Sequence, residues 1–261
     1  MAPQDAYRPA KEALNRALQL DETLGEAHTV LGVLSWRYEW DWSTAKREFN
    51  YALELTPNDP HGHAEFAMYL GWVGLRNEAL AEVAKIHELS PGAPGWSLNP
   101  ESTIYYQLRD YKAIVEVGRQ SVPLYPGSWV RHYFLAVGYE GSSQSAEAIP
   151  EYQKAVELSQ GNSDPAAALA HAYVATGRRG EAQKILREWQ HQSESSYISP
   201  YTIATVYASL GEKDKAFEYL EKAYQERSSD LPYFLKADLR IDSLRSDPRF
   251  QDLLRRMNFP K

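Results

Sequence analysis

Apolar residues along this chain fall in short stripes separated by polar turns, and the stripes recur. In the stretch YISPYTIATVYASLGEKDKAFEYLEKAY, Tyr197 to Tyr224, one group is Ile203, Ala204 and Tyr207. Gly211 follows, and then Ala216, Leu220 and Ala223. Spacings of three and four put each group on one face of a helix, and a glycine between two such groups marks a turn. The stretch therefore predicts two short antiparallel helices. The same order of small and large apolar positions returns up the chain at intervals of about 34 residues.

Six such units can be laid in register, over about 25–58, 60–93, 95–128, 129–162, 163–190 and 197–228. Ahead of them, 7–22 carries Ala10, Leu14 and Ala17, which match only the second helix of a unit. A half-unit at the start reads as part of something longer, or as an unusual leading cap. Pro57, Pro91 and Pro126 close second helices, because proline cannot continue the backbone ladder. The fourth unit is expected to be irregular: Glu101 and Gly118 stand where large apolar residues are expected, and Pro123 should interrupt its second helix.

The small residues have a packing reason. Ala204, Ala170, Ala136, Ala67 and Gly32 recur where the two helices of a unit must approach closely. Enlarging one would overpack the crossing at a cost of about 1–3 kcal/mol. Gly74, Gly177 and Gly211 stand where first helices end and a left-handed residue is favoured. The final stretch, 229–261, breaks the pattern. Asp247-Pro248 reads as an N-cap with proline at the first helical position, and Phe250, Leu253, Leu254 and Met257 form a stripe that can cover the last unit. A stacked array needs such a cap, since its terminal unit otherwise leaves an apolar face bare.

This register resembles the tetratricopeptide repeat family over nearly the whole chain up to about Arg227. The resemblance implies an all-α fold, a right-handed superhelical solenoid of antiparallel helix pairs whose first helices line a concave groove, closed by a C-terminal capping helix. A narrower likeness, carried by Trp40-Asp41-Trp42, Tyr197-Ile198-Ser199-Pro200-Tyr201 and Arg245-Ser246-Asp247-Pro248-Arg249-Phe250, is to the C-terminal arrays of bacterial multidomain signalling proteins. Carrying the family's concave positions onto this chain gives Trp36 and Arg37, Met68 and Trp72, Asn99, Tyr106 and Gln107, Tyr133, and His171 as groove residues. The competing reading is that the aromatic ones pack between repeats. Thr29, Val33 and Ala64 occupy places where some members hold a peptide's terminal carboxylate with Lys, Asn and Arg, so that clamp is not expected. Trp40 and Trp42 are expected to pin the long turn before Ala45 against a neighbouring unit.

Composition narrows the chemistry. Charged residues make up 24% and the net charge is −7, which disfavours a general nucleic-acid binder. No cysteine is present, so disulfides, thiol catalysis and thiolate metal sites are excluded. No apolar run is long enough for a membrane span. The compartment expected is the cytoplasm, or the periplasm if a membrane segment lies upstream.

Histidine is the tempting catalytic residue. His28, His63 and His132, separated by 35 and 69 residues, hold one repeat position, which favours packing over chemistry. His61 and His63 with Glu65 suggest a metal site, but the two histidines point different ways and no third ligand is indicated. No phosphate loop, nucleophile elbow or zinc-helix motif is present. The expectation is a non-enzymatic scaffold, with no catalytic residues, no metal and no cofactor, that binds a protein or peptide segment in its groove. The alternatives are a regulatory or sensory module of a larger bacterial signalling protein, or a self-association module forming a homo-oligomer.

Overall fold

The structure, a computed structural model, describes residues 3–90, 100–192 and 197–259, and all regular elements among them are helical. α1 (Pro3–Leu20) leads. Helix pairs follow: α2 (Gly25–Leu34) with α3 (Trp42–Leu55), α4 (Pro60–Trp72) with α5 (Arg76–Leu89), and α6 (Pro100–Gln107) with α7 (Tyr111–Leu124). Next come α8 (Trp129–Gly141) with α9 (Ser145–Leu158), α10 (Ser163–Ala175) with α11 (Arg179–Gln192), and α12 (Pro200–Ser209) with α13 (Lys213–Gln225). Successive helices pack in order, as a stacked array requires.

The crossing positions behave as the sequence requires. Ala67, Ala136, Ala170 and Ala204 are fully buried. A Cβ at Gly32 would lie 2.9 Å from the Phe49 ring. Gly74, Gly177 and Gly211 carry φ of 83°, 79° and 74° at the ends of first helices, where a side chain would be strained.

Two local expectations change. Pro123 does not interrupt α7, which runs on to Leu124; only one helical residue follows it, and Tyr125 N–H closes the end on Ser121 O at 3.1 Å. Gly118 is not a missing large residue but a close approach, since a Cβ there would lie 2.9 Å from Leu135 Cβ. The expected start of that unit falls in 91–99, outside the described residues.

The three registered histidines are structural staples. His28 Nδ1 meets Glu48 Oε2 at 2.7 Å and its Nε2 meets Glu22 O at 2.9 Å. His132 repeats this with Glu151 at 2.6 Å and Pro126 O at 3.0 Å, and His63 with Glu82 and Pro57 O. Each ring ties its own unit's second helix to the chain entering the unit, and so satisfies a carbonyl at the preceding helix end.

After α13 the chain turns inward. α14 (Asp230–Phe234), a 3₁₀ turn (Leu239–Leu244) and α15 (Pro248–Arg256) follow. Asp247 caps α15 by accepting from Arg249 N–H at 3.0 Å. Leu231, Leu235, Ile241, Leu244, Phe250, Leu253 and Met257 are buried in one core with α12 and α13, which covers the last unit.

Candidate functional site

Five of the nine groove residues named from the sequence converge on two rings of the C-terminal segment. Tyr233 stacks on Trp36 at 6.4 Å between centroids and packs on Trp72 at 5.9 Å. The Arg37 guanidinium lies 5.0 Å from the Trp36 ring and 5.5 Å from the Tyr233 ring. Met68 sulfur lies 3.8 Å from the Tyr233 hydroxyl. Phe234 meets Tyr106 edge-on at 6.0 Å and stacks on Tyr201 at 6.1 Å. Trp36, Met68, Trp72 and Tyr106 are therefore buried beneath a segment of the same chain.

The other four are placed elsewhere. Tyr133 is buried among Trp129, Phe134 and Tyr152. His171 Nδ1 contacts Glu140 Oε1 at 2.8 Å, a carboxylate that also accepts from Tyr152 hydroxyl at 2.9 Å. Gln107 lies against Gly71, where a Cβ would collide with its side-chain oxygen. Asn99 lies outside the described residues.

The segment is held by a buried ionic network that the repeat pattern does not announce. Arg240 donates from Nε and Nη2 to both oxygens of Asp238, at 2.9, 3.0 and 2.7 Å. Its Nη1 reaches Asp164 Oδ1 at the start of α10, 3.2 Å away. Tyr201 of α12 donates to Asp238 Oδ2 at 2.8 Å. Burial pushes the Asp238 carboxyl up, but Arg240 beside it outweighs burial and holds the group below its usual range. For Asp164 burial wins over the more distant Arg240 and lifts the carboxyl to about 6. Burial also raises Asp230. Above this network a cavity of about 450 Å³ remains open, lined by Arg37, Trp129, Asp164, Asp230, Tyr233 and Phe234 among others.

A seam joins the two ends of the array. The residue that lengthens the turn after α2 is absorbed as a π-helical turn, Ser35–Glu39, ending in Trp40 with φ of 58°. Trp40 is thereby inserted into the core of the last units, 5.0 Å from Tyr224 and 3.8 Å under the Arg227 guanidinium. Trp42 donates to Met257 O at 3.2 Å and packs on Phe259 at 4.9 Å. Trp42 also packs on Tyr69 of α4 at 6.4 Å, and its carbonyl accepts from the Tyr69 hydroxyl at 2.8 Å, so the neighbouring unit is pinned as expected; the contacts with the far end of the chain are the addition. In mid-array, Arg109 of the turn between α6 and α7 forms an ion pair with Asp242 of the C-terminal segment.

Among the described residues no group of three or more histidine, aspartate or glutamate side chains is placed to hold a metal ion, and no helix is long and apolar enough to cross a membrane.

Comparison with known proteins follows the same lines. The sequence profile of a tetratricopeptide repeat family matches residues 106–237. No curated protein sequence matches the chain. Among solved structures, MamA from Desulfovibrio magneticus RS-1 (residue 41 to the end) superposes with a TM-score of 0.50 at 19% identity, covering 67% of this chain and 98% of that one. PilF of Pseudomonas aeruginosa gives 0.52 at 16% identity, covering 82% and 96%. Cut9, in the APC/C hetero-tetramer Cut9–Hcn1, gives 0.58 at 19% identity, covering 96% of this chain and 46% of that one.

Proposed function

The chain belongs to the tetratricopeptide repeat family, and we propose that it is a protein-interaction scaffold whose concave face holds a segment of a partner protein. The observation that carries this is the seating of Tyr233 and Phe234 among Trp36, Trp72, Tyr106 and Tyr201. The array holds a short segment by aromatic anchors, and it does so with the residues that the repeat register assigns to the groove. Large aromatic residues and arginine dominate binding energy when desolvated, and here they are concentrated on one surface. One of the solved structures with the same fold is a complex, the Cut9–Hcn1 hetero-tetramer, which agrees with a role in assembly. A partner held this way is bound without any chemical change.

The test is cross-linking of the intact chain to proteins that co-purify with it from its host, followed by mapping of the linked residues. Links concentrated on first helices α4, α6, α8 and α10 support the reading. Links confined to second helices, or no co-purifying protein, contradict it.

A further inference from the structure

Among the described residues, the buried polar side-chain atoms without a hydrogen-bond partner are concentrated where the two ends of the array meet. They include the indole N–H groups of Trp36, Trp40 and Trp72 and the hydroxyl of Tyr106. These four side chains are at most 3% exposed, and each packs on a ring of the C-terminal half: Tyr233, Tyr224, Tyr233 and Phe234 respectively. Buried donors in native proteins are almost always paired, so a cluster of orphans along one contact line calls for a physical reason.

The inserted segment presents rings to these donors. Several of its carbonyls are engaged elsewhere: Leu231 O accepts from Leu235 N–H, Phe234 O from both Ala237 and Asp238 N–H, and Leu235 O and Asp238 O from Arg245. Its carboxylate is engaged too, since Asp238 accepts from Arg240 and Tyr201. Rings therefore meet rings while the indole and hydroxyl donors go unanswered. The aliphatic side of the segment is different, because Leu231, Leu235 and Ile241 are fully buried and belong to the core of α12 and α13. The weak line thus lies between the segment and the early units, not between the segment and the last unit.

We propose that this seam opens, with the C-terminal segment staying on α12 and α13, and that the uncovered face of Trp36, Trp72 and Tyr106 takes an extended peptide whose free backbone carbonyls accept from those donors. An extended chain suits the site because a helix, like the present occupant, has already spent its carbonyls. A second copy of this chain offering the same segment would leave the same donors unpaired, which argues for a different protein as the partner. The proposal rests on the scaffold reading above and adds what regulates the groove and which backbone conformation it selects.

Two measurements test it on the full chain. Native-state hydrogen exchange reads the opening, using the buried indole N–H groups of Trp36 and Trp72 against the backbone amides of α8 and α9. Tyr233→Ala should speed exchange at the former at least tenfold and leave the latter unchanged. Equal exchange of both groups at the rate of global unfolding would overturn the seam. Binding is read with linear peptides selected from a random displayed library on the Tyr233→Ala chain. These should bind that variant at least tenfold more tightly than the unsubstituted chain. Adding Trp72→Phe, which keeps a ring and removes the donor, should cost several-fold in affinity. Early exchange at the seam with no peptide preferring the open variant would leave the seam standing and sink the scaffold reading. Preferred peptides that are helical when bound, or that are indifferent to Trp72→Phe, would overturn the extended occupant. Self-association of the Tyr233→Ala chain in place of peptide binding would also overturn it.

Discussion

Tyr233 lies parallel to Trp36 within 23°, although 197 residues separate them in sequence. That contact decides the character of the array. A stack of helix pairs in which each unit touched only its neighbours would be open-ended. Here α14, beyond the last helix pair, returns to the turn that ends α2, and the concave face is filled from within.

The network around the segment predicts opposite outcomes for one chemical change. Tyr201→Phe removes a hydroxyl that donates to the buried Asp238 carboxylate, and should lower stability by about 1.5–3 kcal/mol. Tyr106→Phe removes a buried hydroxyl that has no partner, and should be neutral or raise stability by about 1 kcal/mol. Urea unfolding of the two variants checks the contrast; two losses of equal size would refute the assignment of partners.

Asp164 gives a pH dependence with a definite sign. Burial raises its carboxyl to about 6 in the folded chain, against an ordinary value of 3.8. A raised carboxyl stabilises the fold at low pH and loses that contribution as pH rises through about 6. Asp164→Asn keeps an acceptor for Arg240 and removes the charge. The variant should gain on the wild type by on the order of 2 kcal/mol between pH 4 and pH 7. Asp238 works in the other direction, since its lowered carboxyl contributes above 3.8 and fails only in stronger acid. Denaturation midpoints at several pH values read the difference; a gap between the two chains that is constant with pH would contradict it.

Arg240 should be the costliest single residue of the segment. Arg240→Ala leaves Asp238, 1% exposed, without its counter-ion, and removing one partner of a buried pair costs about 3–5 kcal/mol. Asp238→Asn together with Arg240→Met should recover part of that loss. Thermal unfolding of the single and double variants measures the coupling, and additive losses would count against a shared network.

The histidine staples predict a repeated effect. His132→Phe keeps a ring and deletes contacts to Glu151 and Pro126 O, and should cost about 1–3 kcal/mol by leaving buried acceptors unpaired. The same change at His63 should cost about as much, because its partners are equivalent. Chemical denaturation of both variants provides the comparison.

The repeat was legible in sequence because each unit states its own packing. Alanines at the crossings, glycines at the turns and prolines at the ends all act within about 34 residues, the range that a periodic pattern can report. Trp36, Arg37, Met68, Trp72 and Tyr106 were named together only by the family resemblance, and the structure gathers them around Tyr233 and Phe234. What covers them was not. Tyr233, Phe234, Asp238 and Arg240 sit in a stretch with no repeat, and their partners lie tens to nearly two hundred residues away. The lengthened turn at Trp40-Asp41-Trp42 was visible as an irregularity, and only the structure shows its contact with Tyr224, Met257 and Phe259. Pro123 misled because a proline is read as a stop wherever it falls, whereas in the last turn it forfeits one bond to the preceding turn and the helix ends one residue later.

The array closes on itself, with Trp40 and Trp42 seated against Tyr224, Arg227 and Met257. The chain has no cysteine, so a pair can be introduced at Tyr38→Cys, beyond α2, and Arg227→Cys, beyond α13, where Arg227 Nη1 now reaches Tyr38 O at 3.4 Å. Treatment with a short bismaleimide should give an intramolecular link in the native chain and none in denaturant. Full reaction of both thiols with a monofunctional maleimide, but no link under native conditions, would show that the two ends do not meet.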